Sequence, residues 1–264
     1  MLKRAIISII ICLLIASAGC SSDVKNPTIG HETLMQVSTI DALMAGTYDG
    51  VIEAGHLKQY GDFGLGTIDK LDGEMIELDG IVYQVKSDGV AYTVSDNTTI
   101  PFAAVTYFDT DIQKEVAAGI SLTELEAYLD SIIPTQNIFY AIRIEGTFSY
   151  MKTRSVPAQE KPYPILSEVT KNQSVFEFTD VAGTVVGFRC PPYVQGVNVP
   201  GYHLHFLNAQ HDAGGHILDI KVQKATVYID ETPDFLMQLP GAGSDFYKLD
   251  LSGNTQEELE KVEK

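Results

Sequence analysis

The sequence predicts an α+β fold, built as two similar mixed or antiparallel β-sheet halves with few helices. Three observations carry this expectation. The dipeptide Asp-Gly recurs at 72–73, 79–80 and 88–89, each time between short runs rich in Ile, Val, Leu and Tyr, which is the pattern of tight hairpins in a β-meander. One stretch, SLTELEAYLDSIIP (121–134), carries a full set of helix signals. The segments FGLGTIDKLDGEMIELDG (63–80) and VAGTVVGFRCPPYVQGVNV (181–199) share a Gly-Thr-apolar opening, as two related halves would.

In chain order, MLKR precedes the apolar run AIISIIICLLIASAG (5–19) and then Cys20. A basic start, small residues before a cysteine, and an apolar run shorter than the roughly 20 residues of a spanning helix read as a signal peptide over 1–20. The stretch SAGC (17–20) resembles the lipobox of bacterial lipoproteins, which implies cleavage before Cys20, a lipid on that cysteine, and an exported protein anchored to the cell envelope. Residues 21–32 are polar and turn-rich and form the tether. Cys12 would leave with the signal, so Cys190 would be the one thiol of the folded part, which excludes a disulfide scaffold. Cys190 is expected as a small buried hydrophobe.

Residues 33–170 form the expected N-terminal β-rich half. TLMQVSTIDALMAG reads as a strand running into a short helix, with Ser38 or Thr39 as the cap. The Asp-Gly meander follows, and PFAAVTYFD (101–109) continues its sheet. Ser121 and Glu124 make a capping box, Pro134 follows the last turn, and Leu122, Leu125, Leu129 and Ile132 share one face, so this helix should pack on a sheet. NIFYAIRIEGTFSYMKTRSV (137–156) reads as one long strand or two, with Ala141, Arg143 and Glu145 on one face and a cross-strand ion pair expected for Arg143. Beyond a boundary near residue 170, the half 171–264 carries the metal-binding histidines. A short helix near 164–172 leads to strands at 175–179, 183–190, 201–208, 216–222 and 224–230.

The net charge of -17 argues against nucleic acid as a partner, because phosphate binding needs a basic surface. Such acidity keeps a protein soluble. The chain has four arginines, and Arg4 lies in the signal segment. Arg143, Arg154 and Arg189 therefore stand out, and an anionic substrate would need one of them, or a metal, to capture it locally against a repulsive field. Arg189, just before Cys190 and Pro191, is expected to cap a sheet edge.

Four of six histidines crowd into PGYHLHFLNAQHDAGGH (200–216). His203 and His205 are two apart, so on a strand both imidazoles leave one face. His216 follows Gly214 and Gly215 and can return to that face across a hairpin. A near pair plus a third ligand from the next strand suits a catalytic zinc, which takes neutral imidazoles and leaves positions open. Spacing alone also leaves open a polar strand face without a metal. His211, in the turn NAQHDAGG, competes as third ligand, while His31 and His56 have no local partner. Taken alone, Glu74 reads as a solvated turn residue and EELEKVEK as an exposed terminal helix.

Several separate motifs, YGDFGLGTIDKLDGEMIELDG (60–80), NIFYAIRIEGTF (137–148), TRSVPAQEKPYP (153–164) and GYHLHFLNAQHDAGGHILD (201–219), resemble the bacterial α-acetolactate decarboxylase family. The likeness runs in order from about residue 34 to the C-terminus. It implies decarboxylation of 2-acetolactate to acetoin, a Zn2+ cofactor, an α+β fold and a homodimer. Carried over by motif, the imidazole ligands are His203, His205 and His216, with Glu74 and Arg154 as acidic and basic partners and Thr67 lining the substrate site. A glutamate near the C-terminus also reaches the metal in that family; Glu263 fits this place and Glu260 comes next. Glu74 and Glu263 are then either further metal ligands or proton carriers, and Arg154 anchors the departing carboxylate or helps deliver the proton, the first role suiting an arginine better because it is a poor acid. The pattern HLHF…GGH also resembles the plant-and-prokaryote-conserved domains, which implies the alternative of a non-catalytic metal-binding oligomerisation module. Those domains lack the GEM and KTR segments.

Overall fold

The computed structural model describes residues 30–263. The expected signal segment, Cys20 and most of the tether lie outside the described residues. In chain order the elements begin with β1 (Thr33–Val37), α1 (Ile40–Met44), β2 (Ile52–Glu53), α2 (Ala54–Leu57), β3 (Phe63–Thr67), β4 (Glu74–Leu78) and β5 (Ile81–Val85). Next come β6 (Ala91–Thr93), β7 (Thr99–Ile100), β8 (Phe102–Thr106), β9 (Ile112–Val116), α3 (Leu122–Ile132) and β10 (Phe139–Ser155). The chain continues with α4 (Leu166–Val169), β11 (Ser174–Cys190), β12 (Gly201–Asn208), β13 (Gly214–Thr232), β14 (Asp234–Gln238) and α5 (Gln256–Glu263).

Two sheets dominate, and the fold is α+β with a mostly antiparallel arrangement. The first runs β14-β1-β8-β3-β4-β5-β6, in which only β1 and β14 are parallel. The second contains β9 to β13 except that no helix joins it: β10 lies between β11 and β13, and β9 borders the end of β13. β12 pairs with β11 on one side and with the first residues of β13 on the other, so β10 to β13 close on themselves. That closure decides where the histidines point.

The break near residue 170 does not separate the sheets. β9 and β10 precede it yet belong to the second sheet, and β14 follows it yet joins the first. The expected strands at 175–179 and 183–190 are one strand, β11, and those at 216–222 and 224–230 are one strand, β13. Glycines do not break these long strands because backbone crosses close to them. At Gly146 a Cβ would fall 2.2 Å from the Lys224 carbonyl oxygen.

Of the three Asp-Gly pairs, one makes a two-residue hairpin. Asp79 (φ 52°) and Gly80 (φ 75°) join Leu78 to its partner Ile81, the twin left-handed geometry that matches strand twist. Gly73 ends the longer connection between β3 and β4, and Gly89 sits in the loop between β5 and β6. In each the glycine supplies a positive φ, but the loop is longer than two residues.

Thr39 caps α1, its hydroxyl accepting the Ala42 N–H at 3.2 Å. The capping box on α3 forms, with Glu124 Oε2 accepting the Ser121 N–H at 2.8 Å. Leu125 and Leu129 bury that helix against Ile142, Phe148, Phe206 and Val227 of the second sheet. A separate cluster, including Leu65, Ile76, Val85, Ala141, Val186 and Leu207, glues the two sheets face to face. Cys190 is buried there, and burial pushes its thiol up to about 12, so it is inert packing.

Arg143 does form ion pairs, but with Glu145 on its own strand (2.6 Å) and Asp79 in the β4–β5 turn (2.7 Å); its cross-strand neighbours are Val186 and Tyr228. Arg189 caps no edge, because β11 is flanked on both sides. It is buried and reaches Asp130 of α3 (3.2 Å) and the Gln136 carbonyl (2.7 Å), fastening the helix to the sheet. A third cluster joins Ile40 and Leu43 of α1, Leu166 and Val169 of α4, and Leu259 and Val262 of α5. Burial of the last two side chains, worth about 2 kcal/mol each, seats the C-terminal helix.

Candidate metal centre and catalytic site

Three adjacent strands bring the centre together. On β12, His203 and His205 share a face; His205 is the direct cross-strand partner of His216 on β13, and His216 is the direct partner of Arg154 on β10. Residues paired this way present their side chains on one side of the sheet. The pairing shifts between Lys152 and Thr153, whose partners are Asp219 and Ile217, so β13 carries one extra residue beside His216. Bulges of this kind re-aim side chains at active sites. Gly215 has φ 132°, and a Cβ there would meet the Arg154 carbonyl oxygen at 2.5 Å, so only glycine lets β13 enter this close to β10.

The three rings converge. Their centroids are 5.1, 5.1 and 5.4 Å apart, and one nitrogen from each lies within 4.8 Å of the other two. All three are buried, His205 completely. Burial, reinforced by the Arg154 charge, lowers the His203 pKa to about 3; burial first, with Arg154 and the neighbouring rings, holds His205 and His216 well below their ordinary value. They are therefore neutral, the form a metal takes. The Met75 carbonyl lies 2.9 Å from His205 Nδ1, and since a carbonyl only accepts, Nδ1 carries the proton and Nε2 keeps its lone pair.

Hydrogen bonding leaves this centre short of partners. His205 Nε2, His203 Nδ1, His216 Nδ1 and Glu263 Oε2 are all buried with none. An unpaired buried polar group costs about 1–3 kcal/mol, and two of these, His205 Nε2 and Glu263 Oε2, lie where the rings and carboxyl groups approach one another, as in a site made for an ion. The donor set, three neutral imidazoles with carboxylates adjoining, fits a divalent transition metal of zinc type.

The charged partners surround the rings. Glu74, at the start of β4, is buried; its Oε1 accepts from Arg154 Nη1 at 3.0 Å and its Oε2 lies 3.6 Å from His205 Nε2. Burial pushes its pKa up to about 7, against the pull of Arg154 and with help from Glu263. Glu263, in the last turn of α5, has Oε2 at 3.5 Å from His203 Nε2 and 3.8 Å from His216 Nε2, with Oε1 3.9 Å from Arg154 Nη2. Burial raises its pKa too. Arg154 Nη2 also donates to the Val262 carbonyl at 3.3 Å, so one guanidinium spans both carboxyl groups and the end of α5.

Thr67 is buried and paired with Glu74, but its hydroxyl donates to the Gly73 carbonyl at 2.7 Å; it braces the connection that delivers Glu74. Glu260 is exposed and accepts from Gln256 Nε2 at 2.9 Å, away from the rings' nitrogens. His211 bonds Tyr83 through Nδ1 at 2.9 Å and is no part of the cluster. The Met75 and Val262 carbonyls escaped the sequence reading, since a backbone group leaves no residue-type signal. A cavity of about 660 Å³, lined by His216, Glu263, Leu204, Tyr202 and Arg189 among others, adjoins the centre. It is ample for a small acid.

Glu263→Gln is expected to weaken metal binding by ~10–100-fold, the usual effect of disturbing a group that supports a metal site. Competition with a chelating dye measures this, with Glu260→Gln as the control that leaves affinity unchanged. The opposite ranking would move the role to Glu260.

Comparison with known proteins adds independent findings. The sequence profile of the alpha-acetolactate decarboxylase family matches residues 34–253. The alpha-acetolactate decarboxylase of Methanosarcina mazei is 55% identical over 233 residues, covering 88% of this chain and 81% of that protein. The Methylococcus capsulatus enzyme of the same name is 47% identical over 237 residues, covering 89% and 91%. The crystal structure of alpha-acetolactate decarboxylase from Bacillus subtilis strain 168 superposes with a TM-score of 0.85 at 40% identity, covering 88% of this chain and 99% of that one.

Proposed function

From the premise that the chain belongs to the alpha-acetolactate decarboxylase family, we propose that it is a zinc-dependent carboxy-lyase converting 2-acetolactate to acetoin and carbon dioxide. The observation that carries the metal is the meeting of three neutral, buried imidazoles, one nitrogen from each within 4.8 Å of the other two, beside Arg154.

The reaction sets two demands. When the carboxylate leaves as carbon dioxide, its bonding pair moves toward the neighbouring ketone oxygen, and a proton must then reach the carbon that lost the carboxyl group. His203, His205 and His216 would hold the zinc, which would supply a Lewis acid for negative charge on the substrate oxygens. Arg154 binds the substrate carboxylate: it is always charged, buried and forked, and its Nε is without a hydrogen-bond partner. The same permanence makes it a poor proton donor. Proton delivery falls to the carboxyl groups it orients. Glu74 Oε2 faces the metal centre while Oε1 is held by Arg154, and a carboxyl buried like this one keeps a proton more readily than one in water. Glu263, beside two of the rings, completes the centre as a ligand or a second proton carrier. The three rings, Arg154 and Glu74 are buried, which limits competition from water.

The test is to supply 2-acetolactate to the chain lacking residues 1–20. Carbon dioxide and acetoin released in equal amounts, and stopped by a chelator, are expected. A metal-bound protein that releases neither would instead be a binding module. We also propose a homodimer, checked by light scattering, and export with a lipid on Cys20, checked by mass spectrometry of the N-terminal peptide; the SAGC segment supports the latter.

A further inference from the structure

Apart from the histidine centre, we infer a second cation site, for a hard divalent ion of the calcium type, formed by Glu32, Asp111 and Asp230. Three different elements bring these residues together: Glu32 immediately precedes β1, Asp111 immediately precedes β9, and Asp230 lies near the end of β13. One carboxylate oxygen from each lies within 4.8 Å of the other two. That spacing fits around an ion whose metal–oxygen distances are ~2.3–2.6 Å.

Acidic clusters are common on a surface this negative, and Asp230 is what distinguishes this one. Its side chain is 0% exposed and its Oδ1 has no hydrogen-bond partner, while Oδ2 accepts the Asp109 N–H at a long 3.3 Å. A fully buried carboxyl group is thus turned toward two exposed ones. Among the described residues, no lysine or arginine forms an ion pair with Glu32, Asp111 or Asp230. The charged groups that act most strongly on Glu32 and Asp230 are acidic: Asp111, Asp109, Glu231 and Asp234 around Glu32, and Asp111, Glu32 and Asp109 around Asp230. Burial, with that repulsion, pushes Asp230 up to about 8 and raises Glu32 as well.

Burying a carboxylate without a counter-charge is costly, and a bound cation removes the cost. The three side chains offer oxygen and neither nitrogen nor sulfur, which selects the calcium and magnesium class over zinc. Exposed Glu32 and Asp111 leave one side open to water ligands, and an irregular shell of carboxylates and waters suits calcium better than the strict octahedron of magnesium. The position has a structural consequence. Glu32 leads into the first sheet, and its carbonyl accepts the Asp234 N–H at 3.1 Å, next to the β1–β14 pairing; Asp111 and Asp230 belong to the second sheet's border. An ion here ties the two sheets together at β13, where the chain passes from one to the other.

The experiment is a calcium chloride titration of the protein as purified, followed by calorimetry and by thermal unfolding. One calcium per chain is expected, with Tm raised by ~5 °C at saturation. Asp111→Asn, at an exposed position, should abolish both the heat and the shift while leaving the calcium-free Tm equal to or above that of the parent, because a repelling charge is gone. Asp230→Asn should do the same. Absence of calcium binding in the parent chain, or a shift that survives in Asp111→Asn, would overturn the site. Neither readout depends on acetolactate turnover, so the outcome is independent of the catalytic reading.

Discussion

Arg154→Ala is expected to lower kcat/KM for acetolactate by about 10³-fold, equivalent to about 4 kcal/mol of transition-state stabilisation, while the metal content stays at that of the parent. The geometry separates the two effects. Arg154 is hydrogen-bonded to Glu74 at 3.0 Å and to the Val262 carbonyl at 3.3 Å, and it lies 3.9 Å from Glu263, yet it offers no lone pair to a metal. Besides burial, its charge lowers the pKa of all three histidines, as a positive group beside the centre does. Its loss should therefore not expel a cation. What disappears is the carboxylate anchor and the fixed orientation of Glu74. Arg154→Lys should recover little, since an ammonium group cannot span both carboxyl groups as a planar fork does. Steady-state kinetics with metal analysis on the same samples checks this; full activity in Arg154→Ala would remove the residue from the mechanism.

His205→Ala should be more damaging still, losing metal and turnover together. His205 is the best-oriented of the three imidazoles, fixed by Met75 with Nε2 free, and it is fully buried. Removing it deletes a ligand and leaves the Met75 carbonyl without its partner. Metal affinity should fall by more than ~10²-fold, beyond the effect of losing a supporting group. The informative control is His211→Ala. That residue lies in the same sequence cluster but bonds Tyr83, so metal per chain after dialysis should match the parent. Loss of metal in His211→Ala with retention in His205→Ala would reverse the ligand assignment.

Much of this centre is written in local patterns. The two-residue spacing of His203 and His205 follows from strand periodicity, and the Gly214–Gly215 pair marks where β13 enters beside β10 and aligns His216 with His205. The capping box of α3 depends on residues three apart and is likewise legible. Long-range features are not. Nothing near Glu74 signals that a residue 80 positions away will bury it, and its motif alone reads as a solvated turn. The C-terminal helix is similarly misleading: its acidic sequence suggests solvent, but Leu259 and Val262 dock on α4 and carry Glu263 inward. The division near residue 170 misplaces the sheets for the same reason, because β9, β10 and β14 find their partners by register across the whole chain. Arg143 was expected to pair, and it does, but the partner in the β4–β5 turn is set by how the sheets stack. Family resemblance supplied Glu74 and Glu263, which composition and spacing did not, and picked Arg154 from the three arginines that composition had singled out.

The most direct measurement is an anomalous difference map collected at the zinc edge from crystals of the active protein. One strong peak per chain is expected, within ~2.0–2.1 Å of a ring nitrogen from each of His203, His205 and His216. Crystals of fully active protein with no peak among those three rings, or with the rings turned away from one another, would contradict metal-assisted decarboxylation at this centre.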